Sequence, residues 1–182
     1  MKVCIITEGS SFTGFGHVTR CISLYQAFEE KGIKPLFIVN GDNTVKDFIK
    51  NINHEIFNWL NEENKLFNLI SNADVGIIDS YLADYTLYGN ISKSFRIPVY
   101  IDDNKRIDYP GGIVINGTIH SEDLHYPERK DVTYLLGSKY IPLRKEFWDV
   151  PEKEIKETIK NVMITFGGDD SRNMTPKELS VL

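Results

Sequence analysis

The sequence has few cysteines and no long apolar run, the features that mark disulfide-rich, secreted and membrane-spanning proteins. Its two cysteines, Cys4 and Cys21, occupy apolar positions of a predicted strand and a predicted helix, so we expect buried free thiols rather than a disulfide. No apolar run approaches the ~18–20 residues that a membrane span requires, and the first run, residues 3–6, is too short for the core of a signal peptide. These absences predict a cytoplasmic protein without a membrane span.

An excess of basic residues is also missing. The chain has 21 Lys and Arg against 26 Asp and Glu, a formal net charge of −5, which argues against a broad nucleic-acid-binding surface and predicts no nucleic-acid partner. The composition is otherwise that of a globular protein, with 41% hydrophobic and 26% charged residues. Because 182 residues exceed a typical domain of ~100–150, we expect one complete domain and an added fragment.

Short apolar runs rich in β-branched residues alternate with segments of helical periodicity. The predicted strands span residues 2–7, 35–40, 55–59, 75–79, 98–102 and 112–116, and a further apolar run spans residues 132–136. The predicted helices span residues 17–31, 44–50, 61–71 and 85–93. Such alternation implies right-handed βαβ units, so the predicted fold class is α/β with a Rossmann-like parallel sheet.

A glycine-rich turn, predicted as a flexible polar loop over residues 8–16, connects the first strand to the first helix. Within it, Gly14, Phe15 and Gly16 precede His17 where a tight turn and free helix amides favour a phosphate group. The sequence lacks the third glycine of the dinucleotide-binding fingerprint and the acidic residue expected after the second strand, so NAD is not expected. The helix dipole disfavours imidazolium at His17 and favours a neutral base; the alternative is a histidine that only packs against the sheet.

An ordered set of motifs runs along the chain. The motifs are Gly14-Phe15-Gly16-His17-Val18-Thr19-Arg20, Ile77-Ile78-Asp79-Ser80-Tyr81, Ile101-Asp102-Asp103, Asn116, Gly137-x-x-Tyr140-x-x-Leu143-Arg144-x-Glu146-Phe147 and Gly167-Gly168-Asp169. Taken in this order, they resemble the UDP-sugar hydrolases of pseudaminic acid biosynthesis, a group that includes spore-coat polysaccharide proteins.

The resemblance implies the N-terminal domain of a GT-B type fold, in which two Rossmann-like domains enclose a cleft. It also implies an enzyme that releases UDP from UDP-2,4-diacetamido-2,4,6-trideoxy-β-L-altrose, with His17 activating water for attack at the anomeric carbon. The expected partner is the UDP-sugar, and neither a cofactor nor a metal is expected. A GT-B glycosyltransferase and a non-catalytic nucleotide-sugar-binding subunit are the alternatives.

The resemblance assigns further residues to the substrate. The expected substrate-binding residues are Gly14, Phe15, Gly16, Arg20, Asp79, Tyr81, Asp102, Asn116, Gly167, Gly168 and Asp169. Three roles stay open: Arg20 contacts a phosphate or a strand-end aspartate, Tyr81 lines the sugar pocket or is an exposed packing aromatic, and Asp103 binds ligand or caps a loop.

The expected domain division places a Rossmann-like domain at residues 1–145 and an interdomain helix with the start of a second domain at residues 146–182. The second part contains a predicted helix at residues 152–160 and a predicted strand at residues 161–166, which would expose an apolar edge and favour association. Arg144 and Glu146 are expected to form an interdomain ion pair. In the family the second domain supplies most uridine and diphosphate contacts, so we expect a missing C-terminal domain. An excised N-terminal part, a split enzyme and a degenerate protein are the three explanations.

Overall fold

Seven strands form one fully parallel sheet in the computed structural model, which describes residues 1–152, 154–155, 157–166, 170 and 172–181. The strands lie in the order β3-β2-β1-β4-β5-β6-β7. Their bounds are β1 Val3–Gly9, β2 Leu36–Gly41, β3 His54–Ile56, β4 Val75–Asp79, β5 Ile97–Ile101, β6 Gly112–Asn116 and β7 Val132–Leu136. The predicted α/β fold class with a Rossmann-like parallel sheet is therefore confirmed.

Helices connect most of the strands. They are α1 Gly16–Glu30, α2 Lys46–Ile49, α3 Glu63–Ile70, α4 Tyr85–Ser92 and α5 Thr175–Leu179, with 3-10 turns at Asn43–Val45, Ser121–Leu124, Ser138–Tyr140 and Lys145–Phe147. α1 ends before Gly32, whose φ of +72° an L side chain rarely adopts. No helix in the described part of the chain is long and apolar enough to cross a membrane.

Two apolar cores lie on opposite faces of the sheet. Because successive side chains of a strand point to opposite faces, β1 sends Ile5 into the core beneath α1 and Ile6 into the core beneath α3 and α4. Every residue of β1 and β4 is buried, as expected for central strands covered on both sides. Cys4 and Cys21 are buried free thiols, which confirms that prediction.

The strand order places a topological switch at the centre of the sheet. β1 pairs with β2 on one side and with β4 on the other, so the chain moves outward in both directions from β1. Thr7 of β1 lies beside Asp79 of β4, at the edge where the carboxyl ends of the strands meet. Ligands of open parallel sheets bind in the crevice outside this point.

The structure contradicts two predicted elements after residue 150. Residues 157–166 contain neither helix nor strand, so the helix at 152–160 and the strand at 161–166 are wrong over their described residues. Ile159 and Met163 are each 86% exposed, because this segment has no apolar surface of the described chain to pack against. Helix formation in proteins depends chiefly on packing of an apolar face, and here that packing is absent.

We predict that alanine at Gly76 of β4 destabilises the fold. A Cβ atom there would lie 2.1 Å from Cε2 of the buried Phe95 ring, so either the ring or the strand must move. Overpacking of this kind costs about 1–3 kcal/mol of unfolding free energy, which urea denaturation measures. Gly89→Ala in α4 is the matched control: its Cβ meets nothing within 4 Å, and alanine there stabilises by up to ~1 kcal/mol. Equal midpoints for the two variants would contradict the packing of Phe95 on β4.

Candidate active site

Local hydrogen bonds close the turn between β1 and α1. Ser10 and Gly14 pair through two backbone hydrogen bonds of 3.3 and 2.9 Å, and the Ser10 Oγ accepts hydrogen bonds from the amides of Phe12 and Thr13. Gly14 has a φ of +81°, which favours glycine. The local hydrogen bonds therefore fix the direction in which the chain enters α1.

The first turn of α1 has no side-chain cap. Phe15 occupies the N-cap position without a side-chain hydrogen bond, and the turn contains no acidic residue. The Phe15 ring instead stacks on Phe48 with centroids 4.5 Å apart. Gly16 is exposed, and a Cβ there would meet nothing within 4 Å. Uncapped helix amides of this kind favour an anionic group.

His17 and Asp79 form the central contact of the site. The His17 Nδ1 lies 2.7 Å from Oδ1 of Asp79, whose side chain is fully buried at the end of β4. Burial by itself raises the pKa of Asp79, but hydrogen bonds from Arg20 and His17 outweigh it and hold this pKa below its ordinary value. Because an ionised carboxylate only accepts hydrogen bonds, we assign the proton of neutral His17 to Nδ1, which leaves the lone pair on Nε2.

Arg20 pairs with two aspartates in the structure, and its contact with a substrate phosphate stays a prediction. Its Nε donates to Oδ2 of Asp79 at 2.5 Å and its Nη2 to Oδ1 at 2.6 Å, while its Nη1 lies 2.7 Å from both oxygens of Asp103. Burial lowers the pKa of Arg20, but the two carboxylates raise it well above the ordinary value. The guanidinium fork thus joins the ends of β4 and β5, as planar bidentate donors do.

Tyr81 packs its ring against the histidine. The ring centroids of Tyr81 and His17 lie 4.6 Å apart in an edge-to-face arrangement, and the Tyr81 hydroxyl donates to Oδ2 of Asp103 at 2.6 Å. Burial, followed by this carboxylate, raises the pKa of Tyr81 to about 12. Tyr81 is nevertheless 43% exposed, so it borders open space beside His17. The ring is thus a partly exposed packing aromatic, and its place in a sugar pocket stays a prediction.

Asp102 and Asn116 are fully buried and support the loops at this edge. Asp102 Oδ1 accepts from the backbone amides of Asp103 and Asn104 at 2.9 and 3.3 Å, and its Oδ2 accepts from the Tyr126 hydroxyl at 2.5 Å. Asn116 Nδ2 donates to the same hydroxyl at 3.0 Å. Their predicted contact with substrate remains a prediction, since the structure shows them bracing two loops.

Sequence reasoning missed how Glu8 positions this site. Glu8 is buried at the end of β1, where its carboxylate accepts hydrogen bonds from the amides of Tyr81 and Leu82 at 2.7 and 3.3 Å and from the Ser80 hydroxyl. An acidic residue at the end of an otherwise apolar strand was the available signal. Arg106 was also missed: its Nη2 donates to the Ser80 carbonyl at 3.1 Å. Both residues hold the turn that carries Tyr81.

Two further predictions concern the chain after β7. The ion pair expected between Arg144 and Glu146 is absent from the described residues, because the Arg144 guanidinium instead lies 5.4 Å from the Phe147 ring centroid, and Lys145 pairs with Glu30 of α1. Gly167, Gly168 and Asp169 lie outside the described residues.

Among the residues that the structure places, no group of three or more His, Cys, Asp or Glu side chains is arranged to hold a metal ion.

Comparison with known proteins gives two relatives, both longer than this chain. The chain is 32% identical over 196 aligned residues to an uncharacterised protein of Methanocaldococcus jannaschii, covering all of the chain and 40% of that protein. It is 23% identical over 180 residues to the pseudaminic acid cytidylyltransferase and UDP-2,4-diacetamido-2,4,6-trideoxy-β-L-altropyranose hydrolase of Helicobacter pylori, covering 96% of the chain and 30% of that protein. No protein-family model matches the chain. The chain is thus distantly similar to an enzyme of sugar-nucleotide biosynthesis.

We predict that Asp79→Asn destabilises the protein most near neutral pH. Since the folded-state pKa of Asp79 is lowered, the carboxylate contributes stability above its unfolded pKa of about 4 and loses it as pH falls through the lower folded value. The substitution removes one partner of a buried ion pair, which costs about 3–5 kcal/mol. Denaturation at pH 7 and at pH 3 measures the unfolding free energy of each variant.

The exposed Asp149 provides the matched control for this carboxylate. Asp149→Asn is expected to change the unfolding free energy by less than about 0.5 kcal/mol at either pH, as surface substitutions do. If Asp79→Asn behaves like Asp149→Asn, the buried pairing of Asp79 with Arg20 and His17 is wrong.

Proposed function

We propose that this chain is the base-bearing part of an enzyme that hydrolyses a UDP-activated 2,4-diacetamido-2,4,6-trideoxy sugar to UDP and the free sugar. The observation that carries the proposal is the hydrogen bond from His17 Nδ1 to the buried Asp79, which leaves Nε2 as a free base beside the partly exposed Tyr81 ring. The similarity to the Helicobacter pylori enzyme supports the choice of substrate. We further propose that residues 1–145 form the functional domain and residues 146–182 lead toward a second one.

In the proposed reaction, His17 Nε2 takes a proton from water while the water oxygen attacks the anomeric carbon. The bond between that carbon and the diphosphate oxygen breaks, and its electron pair leaves with UDP. The resulting imidazolium is stabilised by Asp79, in the way a buried aspartate stabilises a catalytic histidine. Arg20 is a positioning residue here, because it holds the carboxylate of Asp79 ionised and in place.

The leaving group shapes the rest of the proposed mechanism. A diphosphate is already a weak base, so it needs stabilisation of its negative charge more than it needs a proton. The uncapped amides at the start of α1, with exposed Gly16, supply such stabilisation without a side chain. A second catalytic carboxylate of the kind that glycosidases use for their leaving group is then unnecessary, and the proposed reaction uses no cofactor.

We predict that His17→Ala lowers kcat for UDP release by about 10²–10⁴, because general base catalysis contributes that much, while KM changes little. The assay uses UDP-2,4-diacetamido-2,4,6-trideoxy-β-L-altrose with the 182-residue chain and with any longer natural form that contains it. His54→Ala is the matched control, because His54 is a half-buried histidine of the edge strand β3 whose Nδ1 lies 2.7 Å from the Ile52 carbonyl oxygen. If the two variants release UDP at wild-type rates, His17 is not the base.

The proposed bond cleavage has an isotopic test. Hydrolysis in ¹⁸O-labelled water is expected to place the label at C1 of the free sugar, because water attacks carbon rather than phosphorus. Mass spectrometry of both products locates the oxygen. Label in UDP would show attack at phosphorus and would contradict a base directed at the anomeric carbon.

A glycosyltransferase is the second candidate, and Phe12 is the observation in its favour. This side chain is 95% exposed at the tip of the loop that leads into α1, and Phe48 nearby on α2 is 45% exposed. Exposed aromatic side chains beside a site suit an apolar acceptor. Release of UDP in water without any acceptor distinguishes the two, since a transferase requires an acceptor hydroxyl for efficient turnover.

A further inference from the structure

We propose that a cavity at the ends of β5 and β6 is the subsite for an N-acyl substituent of the sugar, with Asp103 as the acceptor of the substituent's amide proton. The cavity has a volume of about 360 Å³. This inference rests on the proposed function, because it takes the ligand to be a nucleotide-activated sugar. It adds to that function the part of the chain that distinguishes acylated sugars from hydroxylated ones.

The walls of this cavity are mainly aliphatic. Ile101 and Ile115 lie at the carboxyl ends of β5 and β6, and Ile119 and Ile141 lie in the loops that follow β6 and β7. Gly117 permits this arrangement, since a Cβ there would lie 2.9 Å from the Ile141 Cα. Thr118 also lines the cavity. A sugar hydroxyl placed against the isoleucines, away from Thr118, would lose hydrogen bonds to water without replacement, which costs free energy, whereas a methyl group gains from burial.

The polar side of the cavity carries carboxylates, which favour a hydrogen-bond donor of the ligand over a negatively charged group. Asp103 has a 31% exposed side chain. From the described residues it accepts three hydrogen bonds, two from Arg20 and one from Tyr81, out of about four that a carboxylate can accept. Asp102 also lines the cavity. Because the Arg20 guanidinium is paired with carboxylates, the local charge disfavours a diphosphate here. An amide N–H matches the free acceptor position on Asp103.

The cavity lies beside the proposed base. Arg20 lines it, and the Nη2 of the same guanidinium is 3.0 Å from His17 Nδ1. A sugar ring with its anomeric carbon at His17 would therefore extend a ring substituent toward Asp103 and the isoleucines. The substrate named for the Helicobacter pylori relative carries two acetamido groups, each with one amide N–H and one methyl group, which is the combination that this cavity fits.

Isoleucine methyl NMR tests the subsite without requiring turnover. The 182-residue chain, labelled at isoleucine δ1 methyl groups, is titrated with free 2,4-diacetamido-2,4,6-trideoxy-L-altrose and, separately, with 6-deoxy-L-altrose, each up to its solubility limit. The diacetamido sugar is expected to shift the methyl signals of Ile115, Ile119 and Ile141, while the signal of Ile97, at the opposite end of β5, stays in place. The sugar without acetamido groups is expected to bind at least about five-fold more weakly, since burial of one methyl group alone accounts for about a four-fold difference.

Two alanine variants sharpen the test. Ile119→Ala removes a wall side chain that is 76% exposed, so the fold is not at risk, and it is expected to weaken binding of the diacetamido sugar by about three-fold or more without affecting the other sugar. Ile97→Ala, at a partly exposed position remote from the cavity, is expected to leave both affinities unchanged. Absence of shifts, shifts centred on other isoleucines, or equal affinities for the two sugars would overturn the subsite.

This result is separable from the fate of the proposed function. Methyl shifts at the cavity together with no UDP release from any form of the protein would contradict the hydrolase and leave the N-acyl subsite standing. UDP release from the diacetamido substrate without shifts at these isoleucines would support the hydrolase and reject the subsite.

Discussion

The buried carboxylate of Asp79 is the group on which the geometry of the site depends. It stands at the end of a strand covered on both faces, where an unpaired charge would be costly. His17 and Arg20, from a single helix, are its main donors, and the Cys21 thiol of the same helix is a weaker third at 3.5 Å. The spacing of three residues between His17 and Arg20 places them on the same face of α1, so the helix must lie over the sheet in one orientation for both of their contacts to form.

The same pairing connects stability with the proposed chemistry. The histidine receives its orientation from a group that the fold already requires to be paired, so the proposed base is positioned by a contact that stability also needs. Arg20 extends this arrangement to Asp103 and through it to Tyr81, which gives one polar network across the ends of β4 and β5. Such networks lose more than one contact when a member is removed, because each carboxylate accepts from more than one residue.

The sequence was sufficient for the sheet, its direction and the edge at which polar residues meet. The run at residues 75–79 is apolar up to its last residue, which is an aspartate, and a pattern this local can be recognised in the sequence. The partners of Arg20 were not predictable from the sequence. Asp79 and Asp103 lie 59 and 83 residues further along the chain, and only the packing of α1 on the sheet brings them within reach of the guanidinium. Tyr126 lies in an irregular segment without periodicity, so nothing in its surroundings indicated its contact with Asp102. The helix and strand predicted at residues 152–166 are wrong over their described residues for the opposite reason, since the described part of the chain offers their apolar side chains no surface to pack against.

The Tyr126 hydroxyl, held between Asp102 and Asn116, ties together the loops that follow β5 and β6. A cavity wall built from two loops would ordinarily have to become ordered when a ligand arrives, with an entropic penalty. Here the shared hydroxyl provides that order in advance, and both of its partners are fully buried. If this wall forms the proposed N-acyl subsite, discrimination among related sugars should appear chiefly in how long each one stays bound, while the rates at which they arrive remain similar.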